Sequence, residues 1–194
     1  YRDTSSGGTN QTTNHVYGYS YTIPSGKALA SITLPTNQNV RLLDIQMSNS
    51  TSVNLSNAYT SWGIANGNTQ VANHQGCDGG GSYYYSGTLQ SLIAWSGATF
   101  YLGPVPNSKN GQNNFVQGKG QTIDLPQGDY GWLYLAGASA NGNQQNQAMT
   151  LTFSDGSTET WTQSFSDWCG PQNYAGESII QMQPSWVNQV GNVH

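Results

Sequence analysis

The stretch AMTLTFSDGSTETWTQSF, residues 148–165, carries the clearest fold signal in the chain. On either side of Ser154-Asp155-Gly156, apolar and polar residues alternate with the period of two that marks a half-buried strand. A three-residue turn with Gly156 in the left-handed conformation sets Phe153 opposite Ser157, Leu151 opposite Glu159 and Met149 opposite Trp161. Leu151, Trp161 and Phe165 then share one face, with the threonines largely on the other. A two-residue turn would place Trp161 opposite Thr150. The odd-length loop is preferred because it gathers the large side chains on one face.

The same rhythm extends outward. Residues 16–23, VYGYSYTI, place Tyr17, Tyr19, Tyr21 and Ile23 on one face, read as an aromatic core stripe, before Pro24-Ser25-Gly26 turns the chain. ALASITL at 28–34 and VRLLDIQM at 40–47 are the next strands. In the second, Arg41, Leu43, Ile45 and Met47 are expected on one face and Asp44 and Gln46 on the other. QTIDL at 121–125, a Pro-Gln-Gly turn and YGWLYLAG at 130–137 repeat the order strand, Leu-Pro, polar turn, strand, which suggests equivalent corners of the fold. Residues 63–81, 103–120 and 137–147 are rich in Gly, Asn and Gln and are expected to be long loops. LQSLIAW at 89–95 is the one candidate short helix. About ten strands with almost no helix predict one all-β domain over residues 1–194, a two-sheet antiparallel β-sandwich with a jelly-roll-like layout. A barrel is the alternative.

Composition narrows the partner. The 194 residues include five basic and nine acidic side chains, 7% charged in all, against about 25% in an ordinary globular protein. Aromatic residues make up 11%, with 12 Tyr, six Trp and four Phe. Disordered chains are poor in aromatics, so a folded chain with a Ser/Thr/Asn/Gln/Gly surface is expected. Arg2, Lys27, Arg41, Lys109 and Lys119 are scattered, with no basic stripe for nucleic acid or for an anionic membrane surface. No apolar run approaches the length needed for membrane insertion. Low Lys and Glu content fits a secreted, extracellular protein whose leader has been removed. Cys77 and Cys169 are expected to form one disulfide; two separate buried thiols are the alternative. Sequons begin at Asn10, Asn49 and Asn54.

Abundant aromatics beside neutral amides point to a neutral polysaccharide or glycan as partner. Sugar rings offer apolar faces for stacking and hydroxyl edges for hydrogen bonds. Along GWLYLAG, Leu133 and Leu135 occupy one face and Trp132 and Tyr134 the other, so the aromatic pair is a candidate outward platform. Trp62, Trp95 and Tyr84 are further stacking candidates at loop edges. Each has a packing alternative, since most Trp and Tyr residues of a sandwich serve its core. Asp78, in QGCDGGGSYYY, is a candidate ligand for a structural calcium ion or, alternatively, the head of an Asx turn. No cofactor is otherwise required. Glycoside hydrolysis needs two carboxylates across the scissile bond, and Asp167 with Glu177 is the candidate catalytic pair.

Several stretches resemble a β-sandwich module attached to secreted bacterial hydrolases: Gly63-Ile64, GCDGGGSYYYSGTL at 76–89, GATFYLGP at 97–104, GQTIDLPQGDYGWLYLAG at 120–137, NGNQQNQAMTLTFSDGS at 141–157 and QSFSDWCGPQNYAGES at 163–178. The features that follow these in that module, a Tyr-Arg with a Gly-rich turn, YGYSYTI, a strand, Leu-Pro and NVRLLDI, stand here at Tyr1 to Met47. The resemblance therefore implies a circular permutation and a carbohydrate-binding-like, non-catalytic role. A secreted glycan-binding module or lectin is the leading expectation. A secreted glycoside hydrolase and a structural or adhesive surface protein are the alternatives.

Overall fold

A computed structural model describes residues 13–67, 76–104, 112–188 and 192–194. In chain order its strands are β1 (Asn14–Thr22), β2 (Leu29–Thr33), β3 (Val40–Met47), β4 (Thr51–Ser52), β5 (Ile64–Ala65), β6 (Tyr83–Tyr85), β7 (Leu92–Trp95) and β8 (Ala98–Tyr101). They continue with β9 (Val116–Gln117), β10 (Thr122–Asp124), β11 (Trp132–Ser139), β12 (Gln144–Phe153), β13 (Thr158–Phe165), β14 (Glu177–Gln183) and β15 (Trp186–Val187). Among the described residues there is no α-helix, only a 3-10 turn at Ser48–Ser50.

Two antiparallel sheets make the sandwich. The larger runs β14-β1-β11-β3-β4, with β9 also paired to β3, and the smaller runs β10-β2-β12-β13. The two Leu-Pro corners fall in matching places. β2 pairs β10 in the small sheet, and the strands that follow them, β3 and β11, pair in the large one. Between the sheets, Tyr19 meets Phe165 at 4.6 Å between ring centroids and Tyr21 meets Trp161 at 5.6 Å. Leu133, Leu135, Ile45 and Met47 fill the same layer and are fully buried, each such side chain contributing about 1.5–3 kcal/mol.

The hairpin at 148–165 has the expected register, with Leu151 opposite Glu159 and Met149 opposite Trp161. Gly156 supplies φ 80° at its turn. The 89–95 segment is not a helix. Leu92–Trp95 is a strand joined to β8 through Ser96 and Gly97, both at positive φ, the two-residue turn that matches strand twist. Nor is 137–147 a long loop. Asn141 and Gly142, also at positive φ, turn the chain tightly, and β12 begins at Gln144. Its amides are strand side chains: Gln144 and Gln147 both accept from Asn37 Nδ2.

A further layer, not expected from the sequence, lies on the far side of the large sheet. It comprises the β7–β8 hairpin and the small sheet β15-β6-β5, in which β5 and β6 pair in parallel. Trp95 lies over Gly18 so closely that a Cβ at Gly18 would come within 2.8 Å of its ring. Tyr84 donates from its hydroxyl to the His15 carbonyl at 2.7 Å. Covered on both faces, β3 is buried along its whole length, not half-buried.

The disulfide expectation is also corrected. Cys77 and Cys169 are both free thiols and are not close to each other. Cys77 is buried, with its backbone N–H donating to the Ser82 carbonyl, while Cys169 Sγ donates to Asn14 Oδ1. A bridge requires Cα atoms within about 7 Å, and the two thiols are held by different loops.

Candidate functional site

A bulge shapes the outer face of β3. Ala136 stands opposite Asp44 but the next residue, Gly137, stands opposite Leu42, so Leu43 is the extra residue. Only glycine fits the partner position, because a Cβ on Gly137 would lie 2.3 Å from the Arg41 carbonyl oxygen. The bulge breaks the alternation expected for this strand. Leu42, Ile45 and Met47 pair with the inward residues Gly137, Leu135 and Leu133. Arg41 instead turns to the outer layer, where its Nε donates to the Cys77 carbonyl at 2.9 Å.

Asp44 and Gln46 point outward from the same strand onto the floor of a pocket of about 620 Å³. The chain after β4 forms one wall. Asn54 Oδ1 accepts from the Ser56 N–H, and the Ala58 and Tyr59 amides both donate to the Leu55 carbonyl, which folds Tyr59 back over Asp44. Tyr101 at the end of β8 and Pro104 form the opposite wall, with Gln112 and Asn113 at the rim. Tyr101 is 50% exposed. Gly103 permits the close approach, since a Cβ there would come within 2.9 Å of the Tyr59 hydroxyl.

The carboxylate at the floor is only 4% exposed. Its Oδ1 accepts from the Ile45 N–H at 2.8 Å; its Oδ2 accepts from Gln46 Nε2 and from the Tyr101 N–H, both at 2.7 Å. Burial outweighs these three donors and pushes the Asp44 carboxyl up to about 6. The Tyr59 phenol is pushed up as well, first by burial and then by the negative charge of Asp44. Gln46 Nε2 also donates to Ser52 Oγ at 3.2 Å, but its Oε1 is buried with no hydrogen-bond partner. No Lys, Arg, His or second carboxylate is among the described residues lining this pocket.

The residues singled out from the sequence lie elsewhere. Trp132 and Tyr134 do face away from the leucines, and their rings stack at 6.2 Å and 17°. Trp132 is 41% exposed, whereas Tyr134 is 4% exposed beneath the β7–β8 hairpin, edge-on to Trp95. Trp62 and Tyr84 are buried, and Trp95 is half-buried. Asp78 Oδ1 accepts from the Gly80 and Ser82 amides, the Asx-turn geometry. Among the described residues no group of three or more His, Cys, Asp or Glu side chains is placed to hold a metal.

Glu177 and Asp167 each serve neighbouring backbone. Glu177 accepts from the Tyr19 hydroxyl, the Ser166 N–H and the Ser166 hydroxyl. Asp167 accepts from the Gly142 and Cys169 amides. Neither lines the pocket. Asn49 and Asn54 of the sequons are exposed, and the Asn10 sequon, together with Arg2, His74 and Lys109, lies outside the described residues.

Asp44, Gln46, Tyr59 and Tyr101 were not among the sequence candidates. The available signal was the one acid of VRLLDIQM, a strand whose only other polar residues are Arg41 and Gln46, where an ionised side chain needs a specific environment. No curated relative and no solved structure matches the chain. The family described as AziU2-like beta-sandwich domain matches residues 49–191, most of the chain. The sandwich and this match lead to one assignment: the chain belongs to the AziU2-like beta-sandwich domain family.

Proposed function

We propose that the protein is an extracellular carbohydrate-binding module or lectin that holds a neutral glycan by aromatic stacking and amide hydrogen bonds. The observation that carries this reading is the Asp44 pocket. An exposed Tyr101 ring and the Tyr59 ring stand beside Ser52, Asn54, Ser56, Gln112 and Asn113, all neutral hydrogen-bonding side chains. Its single carboxylate favours binding over hydrolysis, which takes two across the bond. Trp132 offers a second stacking surface.

The test measures binding and reducing-sugar release together on a panel of plant, fungal and bacterial polysaccharides. Binding without release is expected, weakened at least about tenfold by Tyr101→Ala. Release of sugar lost in Glu177→Gln would replace this reading with catalysis. No binding to any member of the panel would remove it.

The circular permutation belongs to the same proposal. The strands that precede the matched segment pair with strands inside it, and Asn14 at the start of β1 stands opposite Gln183 at the end of β14. A chain reordered to begin at Asn49, with residue 188 joined by a short linker to residue 13, is expected to fold and unfold cooperatively. A reordered chain without cooperative unfolding would oppose it.

A further inference from the structure

We infer that the Asp44 pocket takes a glycan unit bearing a free ammonium, an amino sugar, with the Asp44 carboxylate as its counter-charge and the Gln46 amide oxygen as a second acceptor. This rests on the glycan-binding reading above and replaces its neutral ligand by a glycan that is uncharged except for free amines.

The floor of the pocket has acceptors to spare and no donor to match them. An ionised carboxylate offers about four lone-pair sites. Three are used by the Ile45 amide, the Tyr101 amide and Gln46 Nε2, which leaves one on Oδ1. Gln46 Oε1 is a buried acceptor with no partner at all. An unpaired buried acceptor costs about 1–3 kcal/mol, so a ligand that supplies donors recovers free energy that an apolar ligand cannot.

Charge then selects among donors. The one ion pair among the described residues, Lys27 with Asp155 at 2.8 Å, is not part of the pocket lining. Among the described residues no cation lines the pocket beside the buried Asp44 carboxylate, whose pKa is raised. Tyr59 and Tyr101 are the other titratable side chains on the walls, and neither brings positive charge. A hydroxyl has a single proton to donate and no charge. An ammonium has three donors and a full positive charge, and hydrogen bonds between ionised groups are about twice as strong as neutral ones. The tyrosine rings add a surface that attracts both sugar C–H groups and cations.

Calorimetric titration with glucosamine oligomers and their N-acetylated counterparts tests the inference on the intact protein. At about pH 7 the free-amine oligomer is expected to bind at least about tenfold tighter. At about pH 4.5, where Asp44 is protonated and the amine remains charged, that preference is expected to fall below about threefold. Asp44→Asn should abolish it at both pH values, and the pH comparison on unaltered protein stands even if that variant folds poorly. Asn54→Trp, at an exposed position of the rim, should block both ligands. Equal affinity for the two oligomers would overturn the amino-sugar inference and leave glycan binding in place. Failure of both oligomers, with binding retained to an uncharged polysaccharide of the panel, would overturn it in the same way.

Discussion

Replacing Asp44 with asparagine should change how stability depends on pH more than it changes stability at neutrality. The carboxyl is raised from an ordinary 3.8 to about 6 because burial penalises its charge. Over that interval the native state keeps a proton that the unfolded chain releases. Stability contributed by the protonated group is complete at low pH and is lost as pH rises through about 6, by about 3 kcal/mol in all. Asp44→Asn removes this slope. The substituted amide has one oxygen, so it can serve the Ile45 amide or the pair from Tyr101 and Gln46, but not both. One unpaired buried donor costs about 1–3 kcal/mol. The variant should therefore be less stable than the parent near pH 4 and about equal to it near pH 7. Asp155 works in the opposite sense, held below the usual carboxylate range first by its hydrogen bond from Lys27, and so loses its contribution on acidification. It is common to both proteins and cancels in the difference. Urea unfolding followed by tryptophan fluorescence at fixed ionic strength, from about pH 4 to pH 7, gives that difference directly. Parallel pH profiles for the two proteins would refute the assignment of a desolvated carboxylate to the pocket floor.

Three further outcomes are expected. Gly137→Ala should cost about 1–3 kcal/mol in chemical denaturation, because its Cβ would meet the Arg41 carbonyl oxygen and the bulge would have to shift; an unchanged midpoint would show that the bulge is not fixed by this glycine. Glu177→Gln should lower stability by about 1–3 kcal/mol, since an amide nitrogen would face the donors of Ser166 and Tyr19. Glycan affinity in that variant should be unaltered under folding conditions. Alkylation without reductant should leave buried Cys77 unlabelled in the native protein and add two labels once it is unfolded; no label on the unfolded chain would demonstrate a disulfide after all.

Local pattern made much of the sandwich legible. Gly156 between two alternating segments specifies a hairpin register, since a one-residue slip would move Trp161 and Leu151 out of the core. The Leu-Pro corners likewise marked strands that leave one sheet and enter the other. Side-chain period reports which residues share a face, but not what covers that face. Tyr134 lies opposite the leucines as expected, yet the β7–β8 hairpin buries it and leaves Trp132 exposed. Charge scarcity and the scatter of the five basic residues leave no basic run in the sequence. Charge scarcity did not distinguish Asp167 and Glu177, tied to nearby backbone, from Asp44.

What the sequence determined by itself is the all-β chain and its principal hairpin, because these follow from local periodicity and composition. What only the tertiary structure decided is the pocket. Asp44 becomes its floor because Tyr101 comes from a hairpin more than fifty residues later and Tyr59 folds back from the loop beyond β4. A buried carboxylate takes its chemistry from the groups the fold places around it, and those groups are distant in the chain.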